Sequence, residues 1–383
     1  MTRSGPPVDR IGLGIRPRGA LLAGAGLALL AGLTGALVLL GVPMPQVTLH
    51  LAAVHGLLMA FGFLGTLVSL ERAVALGRVW GYLAPLASAA GAIELIVGTV
   101  PLATALFVVA GGAFVAIYLA FDRIERSLHG TVQAAGAFAW LGGAILLANE
   151  RSVGAVVPWL AAFLVLTIVG ERLELSRVTR PPEGARRAFV LACLVFGGGV
   201  MLTVAAPDVG RRMAGIGLLA LAAWLGRYDI ARRTIRSRGV VRFIAASLLP
   251  GYVWLAVAGT TWLVLGAPTG GSGDDASLHA LFLGFVISMV FGHAPVILPA
   301  VLRVPLPYRP RFYAHLGLLH LSLVVRIVGG DRLGAIGAWQ LGGILNVTAL
   351  LLFLASSILA VLLGPGGARR TAIHSNAGGL TIP

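Results

Sequence analysis

The chain has 383 residues, of which 58% are hydrophobic and only 11% are charged. Soluble domains carry charged residues at about a quarter of their positions, so this composition excludes an ordinary soluble protein and indicates a membrane protein. The net charge of +15 would suggest nucleic acid as the partner of a soluble chain. Here the arginines cluster in short segments between apolar runs, so we expect no nucleic-acid binding.

Apolar runs long enough to cross a bilayer recur along the whole sequence. About 20 consecutive apolar residues span the hydrocarbon core. We therefore predict an all-α fold, a polytopic bundle of about twelve transmembrane helices. The predicted spans are residues 20–41, 49–70, 80–99, 101–121, 131–149, 154–171, 186–205, 211–226, 241–266, 277–302, 310–329 and 336–364. The first run has no clear signal-peptide cleavage site, and we expect it to be retained as a helix.

The runs are predicted to form one transmembrane domain, residues 19–364, because no connection between them is long enough for a soluble domain. A cytoplasmic N-terminal tail, residues 1–18, and a flexible cytoplasmic C-terminal tail, residues 365–383, would flank it.

The arginines predict the orientation of the bundle, since cytoplasmic loops carry an excess of Lys and Arg. Connections after the even-numbered runs are rich in arginine, whereas residues 41–47 carry no charge and residues 270–276 carry only two aspartates. We therefore predict that both termini are cytoplasmic and that the protein lies in the cell inner (plasma) membrane. The arginine-rich face would meet anionic lipid headgroups.

Six of the eight histidines fall in three predicted helices, and a histidine within a span is a functional candidate by default. A rise of about 1.5 Å per residue sorts them into two depths. Imidazole is a common ligand of haem iron and of copper, so all six are candidate metal ligands. The alternative for each is a helix–helix hydrogen bond. The outer group is His50, His55 and His279, and the inner group is His293, His315 and His320.

Other polar residues accompany the histidines. Glu94, in the third helix, can orient a ligand imidazole from a second layer of contacts or relay protons. Arg326, near the outer end of the eleventh helix, has the geometry to pair with haem propionates. Mutual pairing or snorkelling would explain either residue equally well. Pro295 and Pro299 predict a break in the tenth helix just after His293.

The second helix reads HGLLMAFGF over residues 55–63. This segment resembles the H-G-x-x-M-x-F segment in the second helix of haem–copper oxidase subunit I. It is also similar to a segment of the NnrS family, twelve-helix membrane proteins that contain haem and copper and are linked to nitric oxide metabolism. The tenth helix begins with His279, Ala280 and Leu281 and is followed by Arg303, and it looks like an NnrS segment that begins H-A-L and ends in a basic turn.

The resemblance extends over most of the chain in helix count and over about forty residues in motif. It departs from the families in two places. Residues 170–174 match the G-R-x-x-P stretch of NnrS only loosely, and the sixth and seventh helices contain no histidine. The copper-ligand cluster of the oxidases is therefore absent.

The resemblance implies that His55 and His279 are the axial ligands of a b-type haem near the outer face, with Arg326 contributing to cofactor binding. Copper is a second candidate cofactor. The implied role is nitric oxide or oxygen handling, or electron transfer from a donor protein. Two alternatives stay open, a secondary transporter with a membrane-embedded His/Glu site and a copper-binding or assembly protein that uses the inner histidines. No catalytic constellation stands out, so the sequence does not predict an enzyme.

Overall fold

The computed structural model describes residues 14–179, 181–304 and 306–362. In these ranges the chain is helical, without strands, and twelve long helices follow one another through short connections. They are α1 (Ile15–Leu39), α2 (Gln46–Leu76), α3 (Val79–Val97), α4 (Val100–Ile124), α5 (Leu128–Ala148), α6 (Val153–Thr179), α7 (Glu183–Leu202), α8 (Pro207–Tyr228), α9 (Gly239–Leu265), α10 (Ser272–Leu302), α11 (Phe312–Arg332) and α12 (Ile336–Leu362). Most of the predicted N-terminal tail, residues 1–13, and the whole predicted C-terminal tail lie outside the described residues.

Eleven of these helices are long and apolar enough to cross a membrane. The chain is therefore an integral, multi-pass membrane protein, and the all-α prediction is confirmed. The exception is α8, which is 22 residues long but carries Asp208, Arg211 and Arg212 near its start. The helix still packs along α7 and α9, and Arg211, only 3% exposed, pairs with Asp274 at 2.6 Å. Charges buried inside a membrane bundle are normally paired. We therefore keep the prediction that α8 also crosses, which makes twelve spans with the other eleven helices.

Glycines let particular helices approach closely. A Cβ atom on Gly35 of α1 would lie 2.4 Å from the carbonyl oxygen of Leu51 in α2. On α12, a Cβ at Gly342 would lie 2.6 Å from Arg326, and one at Gly343 would lie 2.5 Å from the Nη1 atom of the same residue. Small residues are the usual means of close packing between membrane helices. These contacts position the start of α2 and the end of α11 at one end of the bundle.

Three helices contain π-helical stretches, at Leu58–Gly65 in α2, Ala280–Ile287 in α10 and Val325–Arg332 in α11. The first two begin three residues and one residue after His55 and His279, respectively. π-helical turns are rare, and they occur frequently at functional sites because they redirect the side chains around them. The irregular backbone of this bundle is therefore concentrated around the outer histidines and Arg326.

The predicted break after His293 is not found. The helix continues through Pro295 and Pro299 to Leu302 and ends at Arg303, which adopts a positive φ of 54°. A proline removes one backbone donor without necessarily ending a membrane helix, because neighbouring groups can satisfy the freed carbonyl. The sequence prediction placed the irregularity of α10 too late in the helix.

The orientation prediction can be checked with reporters. The arginine-rich connections, which follow the even-numbered helices, should meet at one end of the bundle, called here the arginine-rich end. We expect reporters that are active only in the cytoplasm to work at both termini and between α8 and α9. Reporters that are active only outside should work in residues 203–206 and 266–271. The same exposure for residues 203–206 and for the α8–α9 connection would show that α8 does not cross.

Candidate functional site

A cavity of about 300 Å³ lies among α1, α2, α6, α10, α11 and α12, near the end opposite the arginine-rich end. Cavities of roughly 300–1,000 Å³ with apolar walls and few polar groups are typical of cofactor and ligand sites. Only four polar side chains line this one, and they come from four different helices. They are His55, His279, Arg326 and Asn346. We call it the His55–His279 cavity.

The His55 ring is held by the backbone of α1. Its Nδ1 atom lies 2.7 Å from the carbonyl oxygen of Gly32, so Nδ1 carries the proton and donates. A Cβ on Gly32 would lie 2.8 Å from the sulfur of Met59, which shows how closely α1 and α2 approach here. The Nε2 atom makes no hydrogen bond within the described residues. Its lone pair is therefore available on the ring that lines the cavity.

The His279 ring is held in the same way, by its own helix. Its Nδ1 atom donates to the carbonyl oxygen of Asp275 at 2.8 Å and lies 3.3 Å from a carboxylate oxygen of the same residue. That carboxylate accepts from Nε and Nη2 of Arg326 at 3.0 and 2.9 Å and from Nε1 of Trp339 at 3.0 Å. The guanidinium also stacks over the Trp339 ring at 4.9 Å. A hydrogen bond to one ring nitrogen fixes the tautomer and orients the other nitrogen for a ligand.

The two other residues predicted for the outer site lie elsewhere. The Nε2 atom of His50 is 3.0 Å from the carbonyl oxygen of Ile96, and His50 does not line the cavity. Glu94 lies near the end of α3, where its carboxylate accepts a hydrogen bond from the Thr99 hydroxyl. Among the described residues Glu94 makes no hydrogen bond to an imidazole; Gly98 (φ 98°) ends α3, and the residue after it, Thr99, bonds to the carboxylate instead. The transporter alternative would favour Glu94 and His293 in one cavity, but Glu94 does not line the cavity that His293 lines.

The three inner histidines have separate surroundings. Trp254 Nε1 donates to His320 Nδ1 at 3.1 Å, and Ser288 Oγ lies 3.3 Å from Nε2, so both ring nitrogens are engaged. His315 is 1% exposed, and neither of its nitrogens has a partner within the described residues. Aromatic rings surround it, with the ring centroids of Phe291 and Phe353 at 4.8 and 5.4 Å.

His293 lines a second cavity, of about 330 Å³, among α1, α2, α6, α10 and α12. We call it the His293 cavity. The two cavities share the side chain of Leu64, which lines both. They therefore adjoin in the middle of the bundle, and one histidine of α10 faces each of them.

The described residues contain no group of three or more His, Cys, Asp or Glu side chains arranged to hold a metal ion. Neither the outer nor the inner histidines therefore form an ion site of three or more such side chains. What the fold does bring together is the pair His55 and His279, with Arg326 beside them.

Sequence reasoning missed Asp275, the residue that joins His279 to Arg326. The sequence prediction began the tenth helix at residue 277 and assigned the aspartate to a loop, whereas α10 begins at Ser272. A usable signal was present, because Asp275 lies four residues before His279 and residues with this spacing share one face of a helix. The aspartate could have been predicted as a neighbour of the imidazole.

No curated protein matches the chain. A family model described as "Domain of unknown function (DUF8744)" matches residues 18–362. Because this match covers most of the 383 residues, the chain belongs to that family.

Proposed function

We propose that the protein binds a b-type haem between His55 and His279 and uses it for electron transfer within the membrane. The observation that carries this proposal is the pair of imidazoles that line one apolar cavity, each with Nδ1 bonded to a backbone carbonyl. This arrangement leaves both Nε2 atoms available as axial ligands. It also agrees with the resemblance to NnrS proteins and haem–copper oxidase subunit I, which implies the same two residues.

The residues of the cavity fit such a group. Apart from four polar residues, its walls are leucine, valine, isoleucine, alanine, methionine and phenylalanine side chains and two glycines, as suits the apolar face of a macrocycle. Arg326 offers Nη1 for a propionate, since Nε and Nη2 are bonded to Asp275. The Nδ2 atom of Asn346 has no partner within the described residues, so one further donor beside the cavity is unengaged.

Two axial imidazoles favour electron transfer over gas binding. A haem held by both histidines would supply one-electron chemistry, and with both Nε2 atoms used as ligands it would leave no site for a gas. Handling of nitric oxide or oxygen would require one of the histidines to leave. Both rings are anchored at Nδ1, which holds them in place. We therefore infer that the redox role is the primary one and that a donor protein supplies the electrons. We further propose the inner (plasma) membrane as the location, which the arginine-rich connections support.

The test is the reduced-minus-oxidised optical spectrum of the protein, expressed with ample haem and purified in detergent. We expect a Soret band and the sharp α and β bands of a low-spin b-type haem, at about one haem per chain. A wild-type preparation that is folded and monodisperse but has no Soret band would exclude the proposal.

A further inference from the structure

We propose that the His293 cavity binds a lipid-soluble quinone or hydroquinone, with its ring at the polar end of the cavity and its tail along the apolar walls. The cavity is lined by 25 residues, of which five are polar. Three of these five can exchange protons, namely Glu71, Glu171 and His293. A ligand for this site must be mostly apolar and must carry a head that exchanges hydrogen bonds or protons.

His293 presents an acceptor nitrogen. Its Nδ1 atom donates to the carbonyl oxygen of Met289 at 2.8 Å, so the lone pair is on Nε2. The only group within hydrogen-bonding distance of Nε2 among the described residues is Nη1 of Arg172, at 3.5 Å, which is too long for a strong hydrogen bond. Arg172 is itself held by Asp229 through bonds of 2.8 and 2.9 Å. A hydroquinone hydroxyl can therefore donate to Nε2 without breaking an existing strong bond.

The two carboxylates of the cavity differ in how firmly they are engaged. Glu171 accepts a hydrogen bond from Arg72. The closest contact of Glu71 to a cation among the described residues is 3.5 Å, from the same Arg72 nitrogen. Glu71 is thus the freer carboxylate and the second group that can accept a proton. The imidazole of His293 comes from α10 and the Glu71 carboxylate from α2. Groups on two different helices can bind the two hydroxyl oxygens at opposite sides of a hydroquinone ring.

The apolar part of the cavity suits an isoprenoid or alkyl tail. Leu22 of α1, Ile297 of α10 and Leu354 of α12 line it and are partly exposed. Ile358, also on α12, is 51% exposed, so the cavity reaches the outer surface of the bundle where lipid lies. A simple acyl chain could fill this part. It would leave His293 Nε2 and the Glu71 carboxylate with only their arginine contacts of 3.5 Å, and weakly paired polar groups in an apolar wall are costly.

The adjoining cavity gives this ligand an electron acceptor, a step that depends on the proposed haem. Oxidation of one hydroquinone breaks two O–H bonds and releases two protons and two electrons. His293 Nε2 and Glu71 would accept the protons. A haem held by His55 and His279 would supply a one-electron acceptor, and a further one-electron acceptor would have to oxidise it again between the two electrons. Leu64 lines both cavities, so the two proposed sites adjoin.

Binding is tested on the full chain expressed without added haem and purified in detergent, with an azide-bearing quinone that photocrosslinks. We expect saturable labelling on α1, α10 or α12 that decylubiquinone competes and decylbenzene, which has no quinone head, does not. Gly26→Leu should reduce labelling at least tenfold. Gly26 lines the cavity, and a Cβ there meets no atom within 4 Å, so the leucine fills the cavity without a backbone clash. The matched control is Gly112→Leu, on α4, which is equally unobstructed and lines neither cavity.

The polar end of the cavity is tested with separate variants, so that the test does not depend on the correct folding of Gly26→Leu alone. We expect His293→Ala and Glu71→Gln each to weaken competition by decylubiquinone about tenfold. Glu174→Gln, the same chemical change on a half-exposed side chain of α6 outside the cavity, should leave it unchanged. Labelling that decylbenzene competes equally well, or that none of these variants changes, would overturn the proposal. If the protein is labelled as expected but never shows a Soret band, the quinone site stands and the proposed haem is excluded.

Discussion

Alanine at either His55 or His279 is expected to remove the low-spin b-type spectrum and to lower the haem retained through purification at least tenfold, equivalent to about 1.4 kcal/mol of binding free energy. Both residues should matter to a similar extent. Each supplies one Nε2 atom to the same cavity, and each is anchored at Nδ1 by a carbonyl oxygen at 2.7 or 2.8 Å. The measurement is the haem content per chain together with the reduced-minus-oxidised spectrum.

The matched control is His50→Ala. This histidine lies five residues before His55 on the same helix and bonds to the backbone of α3 outside the cavity. Its removal should leave the spectrum unchanged. Loss of the spectrum in His50→Ala, or its retention in His279→Ala, would contradict the assignment of ligands.

A second variant fills the His55–His279 cavity without touching either ligand. Gly56 lines this cavity, and a Cβ there meets no atom within 4 Å. Gly56→Leu should therefore exclude haem while the helix is maintained, since leucine is a better helix former than glycine. Gly197→Leu, at an unobstructed position of α7 outside both cavities, makes the same exchange and should retain haem.

The sequence was sufficient to predict the helices because each apolar run is about as long as the bilayer core is thick. It also identified the pair of histidines that the fold brings to one cavity. Two residues at similar depth in neighbouring helices face each other when each helix has the right rotation about its own axis. The π-helical stretches that follow His55 and His279 change this rotation along the helix. Nothing in the letters of residues 58–65 or 280–287 predicts this backbone, since it depends on contacts with other helices. A Cβ at Gly284, for example, would lie 2.4 Å from Trp254.

Polar partners were harder to predict than ligands. Depth alone placed Glu94 beside the outer histidines, but a side chain at the right depth can face away from the site, and Glu94 bonds instead to Thr99. Depth likewise grouped the three inner histidines. In the structure His293 faces a cavity, His315 faces a cluster of aromatic rings, and His320 contacts a tryptophan and a serine. Rotation about the helix axis decides such contacts, and it is fixed by packing across the bundle.

Asp275→Ala is expected to destabilise the protein by about 2–3 kcal/mol, measured by thermal unfolding in detergent. Removing one partner of a fully buried ion pair costs about 3–5 kcal/mol because the other charge stays uncompensated. Arg326 is 6% exposed, but 26% of the Asp275 side chain is exposed, so we expect less than the full cost. Asp122→Ala removes an aspartate from an exposed pair with Arg126 and should change stability little, because exposed pairs contribute little.

The ion pair itself is tested by the double variant Asp275→Ala/Arg326→Met. It should recover most of the lost stability, since replacing both partners of a buried pair by apolar groups is often nearly neutral. A double variant no more stable than Asp275→Ala would show that the aspartate acts through Trp339 or His279 rather than through the guanidinium.

A role in the redox site requires a readout that stability does not affect. The Asp275 carboxylate lies 3.3 Å from His279 Nδ1, where its negative charge favours the more positive ferric state of a haem ligated by that ring. In the Asp275→Asn variant the midpoint potential should therefore rise, even though the amide preserves the size of the side chain. An unchanged potential in a variant that still binds haem would limit Asp275 to holding Arg326, whereas a raised potential would show that the charge of this carboxylate also acts on the haem that His279 holds.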